Sequence, residues 1–224
     1  MSAQLDGSQS AIKWLLVDIG EVLLLKDGDK SFTELLADEL GVDVSLAQAI
    51  NRAHYTTMDV KFISEDAFIS ALKKDLGYKA PKDIFAYFAR AYDKQVRPNI
   101  KFLDFLREIR SFGVKTAILS NTIAIYSDIQ AKAGISKEGG FDPILYSWEV
   151  EMLKPNKEIF EHAVRKLGTK PEDIVFIDDK EEHLRGAQSA GLRTILFDDT
   201  DSAIAKICRL NLAQGKEGVD EKER

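Results

Sequence analysis

From Pro98 onward the chain repeats one unit, an amphipathic helix, a glycine and then a short apolar run, and this rhythm limits the folds open to it. A helix through Ile100, Leu103, Leu106 and Ile109 leads to Gly113 and the run Val114 to Leu119. A helix over 123–133 leads to Gly134 and a short strand over 143–147. Another, carrying Ile159, Phe160, Ala163 and Leu167, leads to Gly168 and the run Ile174 to Ile177. A helix over 182–190, a strand over 193–197 and a helix over 203–210 complete the series. Strands separated by one helix each cannot pair as hairpins, so the pattern predicts a parallel sheet covered on both faces.

Upstream, 13–25 is strand-like apart from an acidic turn, and 28–97 turns helical with no convincing strand. Ser31 with Glu34 forms a capping box ahead of Phe32, Leu35, Leu36 and Leu40, and Gly41 ends that helix. Three more helices are expected: through 47–55, from Ser64 to Gly77, and after Pro81. The expected organisation is an α/β, Rossmann-like core over 11–27 and 98–212, a helical cap over 28–97 inserted after the first strand, and a disordered charged tail over 213–224.

Composition narrows the function. A formal charge of -6 argues against nucleic-acid binding. The single cysteine, Cys208, excludes an internal disulfide and is expected to be buried in a helix. No apolar stretch reaches membrane-spanning length and Met1 to Ser10 does not read as a secretory signal, so a soluble cytoplasmic protein is expected, with no membrane partner.

Chemistry-bearing residues gather where the predicted strands end. Trp14 to Val17 runs into Asp18-Ile19-Gly20-Glu21, Val114 to Leu119 into Ser120-Asn121-Thr122, and Ile174 to Ile177 into Asp178-Asp179. Ligands of open parallel sheets bind outside these carboxyl ends. Asp18 is either a turn former or a nucleophile, since carboxylates can form acyl phosphates. Asp178 and Asp179 either sit at a solvated helix start or hold a cation that relieves their repulsion, a role that suits magnesium. Ser120 and the Asn121 N–H either cap a helix or hold a phosphoryl oxygen. Lys154, before Pro155 at a helix start, is a surface lysine or the counter-charge to such a group.

These four segments, in this order, resemble the motifs of the haloacid dehalogenase-like hydrolase superfamily, over about residues 13–200. The first is similar to Asp18-Ile19-Gly20-Glu21-Val22-Leu23, the second to Ser120 after Ala117-Ile118-Leu119, the third to Lys154 in Leu153-Lys154-Pro155-Asn156, and the fourth to Asp178-Asp179. Residues 119–191 look most similar to the helical-cap branch, including small sugar-phosphate phosphatases and the phosphatase-like domains of epoxide hydrolases. The resemblance implies a phosphatase acting on a small phosphorylated metabolite through an aspartyl-phosphate on Asp18. It implies Mg²⁺ held by Asp18, the Gly20 carbonyl, Asp179 and, through water, Asp178. Ser120, Asn121 and Lys154 would bind the phosphoryl group, and the cap would close over the substrate.

One position departs from the pattern. Phosphatases of this superfamily usually carry an acid/base aspartate where this chain has Gly20. Its absence favours a substrate with a good leaving group, such as a sugar 1-phosphate or acyl phosphate, or gives Glu21 the acid's role. It also leaves open a haloacid dehalogenase, which needs no such acid, and a non-catalytic phospho-ligand or protein-binding member. Of the histidines, His54 is expected to be a packing or surface residue of a cap helix, His162 to lie on an exposed face, and His183 to stand near the site as a structural residue. Trp14 is expected in the core at the sheet edge, and Trp148 is a candidate for the cleft wall. Lys61, Phe62 and Arg90 are cap candidates for substrate contact.

Overall fold

A computed structural model describes residues 11–58 and 64–212. The expected tail and the cap candidates Lys61 and Phe62 lie outside these residues. In chain order the elements are β1 (Trp14–Val17), β2 (Leu24–Lys26), α1 (Phe32–Leu40), α2 (Val44–Met58), α3 (Glu65–Leu76), α4 (Ile84–Gln95) and β3 (Val96–Pro98). There follow α5 (Ile100–Ser111), β4 (Lys115–Ser120), α6 (Ser127–Lys132), β5 (Phe141–Tyr146), α7 (Ser147–Val150) and α8 (Lys157–Leu167). The last are β6 (Ile174–Asp178), α9 (Glu181–Ser189), β7 (Arg193–Leu196) and α10 (Thr200–Cys208).

The main sheet has five strands in the order β5-β4-β1-β6-β7, and every pair in it is parallel. β1 is therefore central: Val17 pairs with Ile118 of β4 on one side and Ile177 of β6 on the other. All residues of β1 and β6 are buried, as strands covered on both faces must be. One apolar cluster joins Leu15, Val17, Ile118, Val175 and Ile177 to Phe102 and Leu106 of α5. The other joins Leu16, Leu119 and Phe176 to Phe160 and Ala163 of α8 and Leu184 of α9. The period-two alternation of the strands thus divides the core between two helical layers.

The helical insertion hangs from a ribbon. β2 and β3 pair antiparallel, Leu24 with Pro98 and Lys26 with Val96, so the chain enters and leaves the insertion at one point. Both strands are short, which is why 28–97 reads as purely helical. Asn99 fixes the base of the ribbon: its side-chain amide donates to Val22 O and Thr200 Oγ1, each at 2.9 Å. Within the insertion α1, α2, α3 and α4 bury Leu36, Ile50, Phe68, Leu72, Ile84 and Phe88 together. The capping box at Ser31 and Glu34 forms as expected.

Several expectations change here. Trp14 is buried but opens the central strand and does not lie at the sheet edge. Cys208 is exposed, because Ala203 and Ile207 share the inward face of α10 and Cys208 turns away from it. The helix expected over 123–133 is a 3₁₀ turn (Ala124–Tyr126) followed by α6. Among the described residues, no helix is long and apolar enough to cross a membrane.

Candidate active site

The ends of three neighbouring strands bring the candidate residues together. Asp18 follows β1, its N–H donating to Ile177 O at 3.0 Å, while Ser120 ends β4 and Asp178 ends β6. The chain leaves β1 for β4 on one side and reaches β6 on the other, so the strand order reverses at Asp18. Such a switch point opens a crevice at the strand ends.

Lys154 occupies the centre. It is buried, and its Nζ lies 2.8 Å from Asp18 Oδ1 and 2.7 Å from Asp178 Oδ2 while donating to Leu119 O at 3.0 Å. The contact with Asp18 is one of charge, because no aligned hydrogen bond reaches Asp18 Oδ1 among the described residues. The aligned bonds of the ammonium go to Leu119 and Asp178. Asn121 fastens this arrangement from the backbone: its side chain donates to Lys154 O at 2.9 Å and accepts from Lys154 N at 3.0 Å. That use of the Asn121 side chain is invisible in the sequence.

Asp178 is saturated with donors. Lys180 N donates to its Oδ1 at 2.9 Å, Lys154 to its Oδ2, and His183 Nδ1 lies 2.9 Å from both oxygens. Burial pushes its carboxyl up, but the His183 bond, the Lys154 charge and bond, and the Lys180 N–H together hold it below the ordinary carboxylate range. Asp179 has the opposite fate. Burial, then the charges of Asp178 and Asp18, push it up to about 6.

Asp18, Asp178 and Asp179 each offer an oxygen within 4.8 Å of the others. This hard-oxygen set suits a divalent cation such as magnesium, which takes one or two carboxylates. Burial first, and then the charges of Asp178 and Asp18, disfavour the ionised Asp179 carboxylate, and a cation there would offset both.

A cleft of about 460 Å³ opens above this group, lined by Gly20, Ser120, Asn121 and Lys180 at its base and by Phe32, His54, Tyr92 and Gln95 from the insertion. Glu21 does not line it. At φ 54° its backbone is left-handed, and its carboxylate accepts the Lys26 N–H at 3.4 Å. Gly20 is exposed, and a Cβ there would meet nothing within 4 Å.

The other candidates divide. His54 takes the packing role, buried and stacked on Phe88 at 4.3 Å, and its burial lowers its pKa to about 4. His183, expected as a structural neighbour, is bonded directly to a site carboxylate, and its place in the first turn of α9 after Asp178-Asp179 was the available signal. His162 is partly buried rather than exposed. Trp148 stacks on Tyr146 at 6.4 Å against the core and is not part of the cleft wall. Arg90 is held by Glu39 at 2.6 Å and lies over the Tyr87 ring, also outside the cleft wall.

The chain is similar to known proteins. Residues 12–191 match the profile of haloacid dehalogenase-like hydrolases. The glyceraldehyde 3-phosphate phosphatase of Methanothermobacter thermautotrophicus is 36% identical over 103 residues, covering 45% of this chain and 45% of that protein. The bifunctional epoxide hydrolase 2 of Sus scrofa is 27% identical over 175 residues, covering 75% of this chain and 30% of that protein. A HAD family enzyme of Bacteroides thetaiotaomicron, solved with magnesium and inorganic phosphate, superposes with a TM-score of 0.67 at 24% identity, covering 83% of this chain and 94% of that one. At that identity the likeness speaks for the fold. The chain spans about half or less of the length of the curated relatives it matches here, 45% of the phosphatase and 30% of the epoxide hydrolase.

Proposed function

Because the chain belongs to the haloacid dehalogenase-like hydrolases, we propose that it is a magnesium-dependent phosphatase that hydrolyses small phosphomonoesters through an aspartyl-phosphate on Asp18. The observation that carries this reading is the convergence of Asp18, Ser120, Lys154 and the Asp178-Asp179 pair at adjoining strand ends. The likeness to a glyceraldehyde 3-phosphate phosphatase supports it.

In this reading Asp18 is the nucleophile, with a lone pair on Oδ1 left without an aligned donor. Lys154, 2.8 Å from Asp18 Oδ1, balances the charge of an incoming phosphate. Ser120 and the Asn121 N–H hold the transferring oxygens at the base of the cleft. Magnesium, when bound by Asp18, the Gly20 carbonyl and Asp179, supplies the positive charge that lets a dianion approach a carboxylate. Asp178, with both oxygens engaged by protein donors, fixes Lys154 and would support a bound ion from behind Asp179. The insertion excludes water above the site.

The dehalogenase reading has Gly20 in its favour, but a halide substrate gives Asp178-Asp179 no task. A non-catalytic role leaves the buried Lys154 between two carboxylates without a use. The test is phosphate release from acetyl phosphate and small phosphomonoesters, with and without Mg²⁺, by wild type and Asp18→Asn. Turnover that requires both the metal and Asp18 is expected. Turnover retained by Asp18→Asn, or none in the folded wild type with Mg²⁺, overturns the reading.

A further inference from the structure

Two side-chain amides of the core line the cleft, and they are used differently. Asn121 is closed: its nitrogen donates to Lys154 O and its oxygen accepts from Lys154 N. Gln130 of α6 is half used. Its Nε2 donates to Thr122 Oγ1 at 3.2 Å, while its Oε1 has no hydrogen-bond partner among the described residues. The residue is 1% exposed and still lines the cleft. Turning the amide over does not remove the asymmetry, because one end still bonds the Thr122 hydroxyl and the other is still left over. Thr122 is itself fixed, its N–H donating to Ser147 Oγ and its carbonyl accepting from the same hydroxyl, both at 3.2 Å. The amide is thus tethered to a residue that follows Ser120 by two positions, at most ~7 Å of extended chain.

Buried polar groups are normally paired, and one left over in a cleft wall is matched by what enters the cleft. In the phosphatase reading, on which this inference rests, Ser120 and the Asn121 N–H hold the phosphoryl oxygens, so the part that reaches Gln130 is the alcohol of the ester. A hydroxyl suits the unused amide end in either orientation, since it donates to the oxygen or accepts from the nitrogen. A carboxylate can only accept and an ammonium can only donate, so each suits one orientation alone. We infer that Gln130 is a specificity-determining residue that takes a hydroxyl of the leaving alcohol, close to the ester oxygen. Gln130 and Thr122 both belong to the core, so this recognition does not depend on the helical insertion.

The experiment separates binding of the alcohol part from the breaking of its bond. Two competitive inhibitors of acetyl phosphate hydrolysis are compared: 3,4-dihydroxybutylphosphonate, which is glycerol 3-phosphate with CH₂ in place of the ester oxygen, and butylphosphonate. In wild type the diol is expected to inhibit more tightly by about five-fold or more. Gln130→Met keeps the length of the side chain and removes the amide, so it should bring the two inhibition constants together by weakening the diol. If that variant does not fold, Thr122→Val, which releases the tethered end of the amide, should narrow the ratio in the same direction. Butylphosphonate binding as tightly as the diol in wild type, or a preference for the diol that survives substitution of Gln130 or Thr122, overturns this inference and leaves the phosphatase standing. No hydrolysis of acetyl phosphate with Mg²⁺ overturns the phosphatase reading and this inference with it.

Discussion

His183 Nδ1 stands 2.9 Å from each oxygen of the Asp178 carboxylate, the same carboxylate that holds Lys154 at 2.7 Å. The histidine does not line the cleft, so its effect passes through Asp178 to the lysine. His183→Ala is expected to lower kcat by about 10–100-fold, as loss of an outer-shell partner does at metal sites. His183→Asn, which can return a donor near the Nδ1 position, should recover part of it. Equal losses in both variants, with KM for Mg²⁺ unchanged, would point to a packing role alone.

Gly20 offers a gain-of-function test. A Cβ at this position meets no atom within 4 Å, so Gly20→Asp starts its side chain in open space and keeps the backbone carbonyl. General acid help is typically worth ~10²–10⁴-fold. The variant should therefore raise kcat/KM for simple alkyl phosphates by about ten-fold or more and change acetyl phosphate turnover least. No change with alkyl phosphates would mean that another group already supplies the proton.

Gly186 packs α9 against the loop that carries Lys154. A Cβ there would stand 2.2 Å from Pro155 O and 2.8 Å from the Phe160 ring, and the backbone carbonyl cannot swing aside. Gly186→Ala should cost about 1–3 kcal/mol, in the range of an overpacked core. It should also depress kcat, because relief of the clash moves Pro155 and with it Lys154. Urea unfolding together with steady-state kinetics checks both, and a fully active, equally stable variant would refute the coupling.

His54 ties stability of the helical insertion to pH. Its pKa falls from 6.5 to about 4 on burial, so below pH 6.5 the unfolded chain binds a proton that the folded one refuses. Its contribution to stability is complete above pH 6.5 and is lost as pH falls toward 4, by up to about 1.4 kcal/mol per pH unit. Denaturation midpoints measured across this window should drop in wild type and drop less in His54→Phe. Parallel curves for the two proteins would rule the histidine out.

The grouping of Asp18, Ser120 and Asp178-Asp179 is legible because each ends an apolar run, while Lys154 stands out only as a lysine before Pro155 at a helix start. Helical spacing likewise announced α1 and its capping box. What stayed hidden depends on proximity across the chain. Nothing in the order of the strands along the sequence says that β1 is central, so Trp14 was set at the sheet edge. The ribbon of β2 and β3 consists of two three-residue strands, too short for alternation to register. Gly186 looks like any helix glycine until Pro155 is placed beside it. Following a strand does not say which face the Trp148 side chain takes, and one step along a helix rotates Cys208 out of the core.

The central place of β1 also sets an order of events during folding. Trp14 has Lys115 as its partner on one side and Ile174 on the other, both far downstream. A growing chain therefore makes Asp18 before its surroundings and can finish them only after β6 exists. Until then the apolar strand that precedes Asp18 lacks both neighbours and is open to wrong pairings. The strand that carries Asp18 is synthesised before either of its neighbours and is assembled only when both exist.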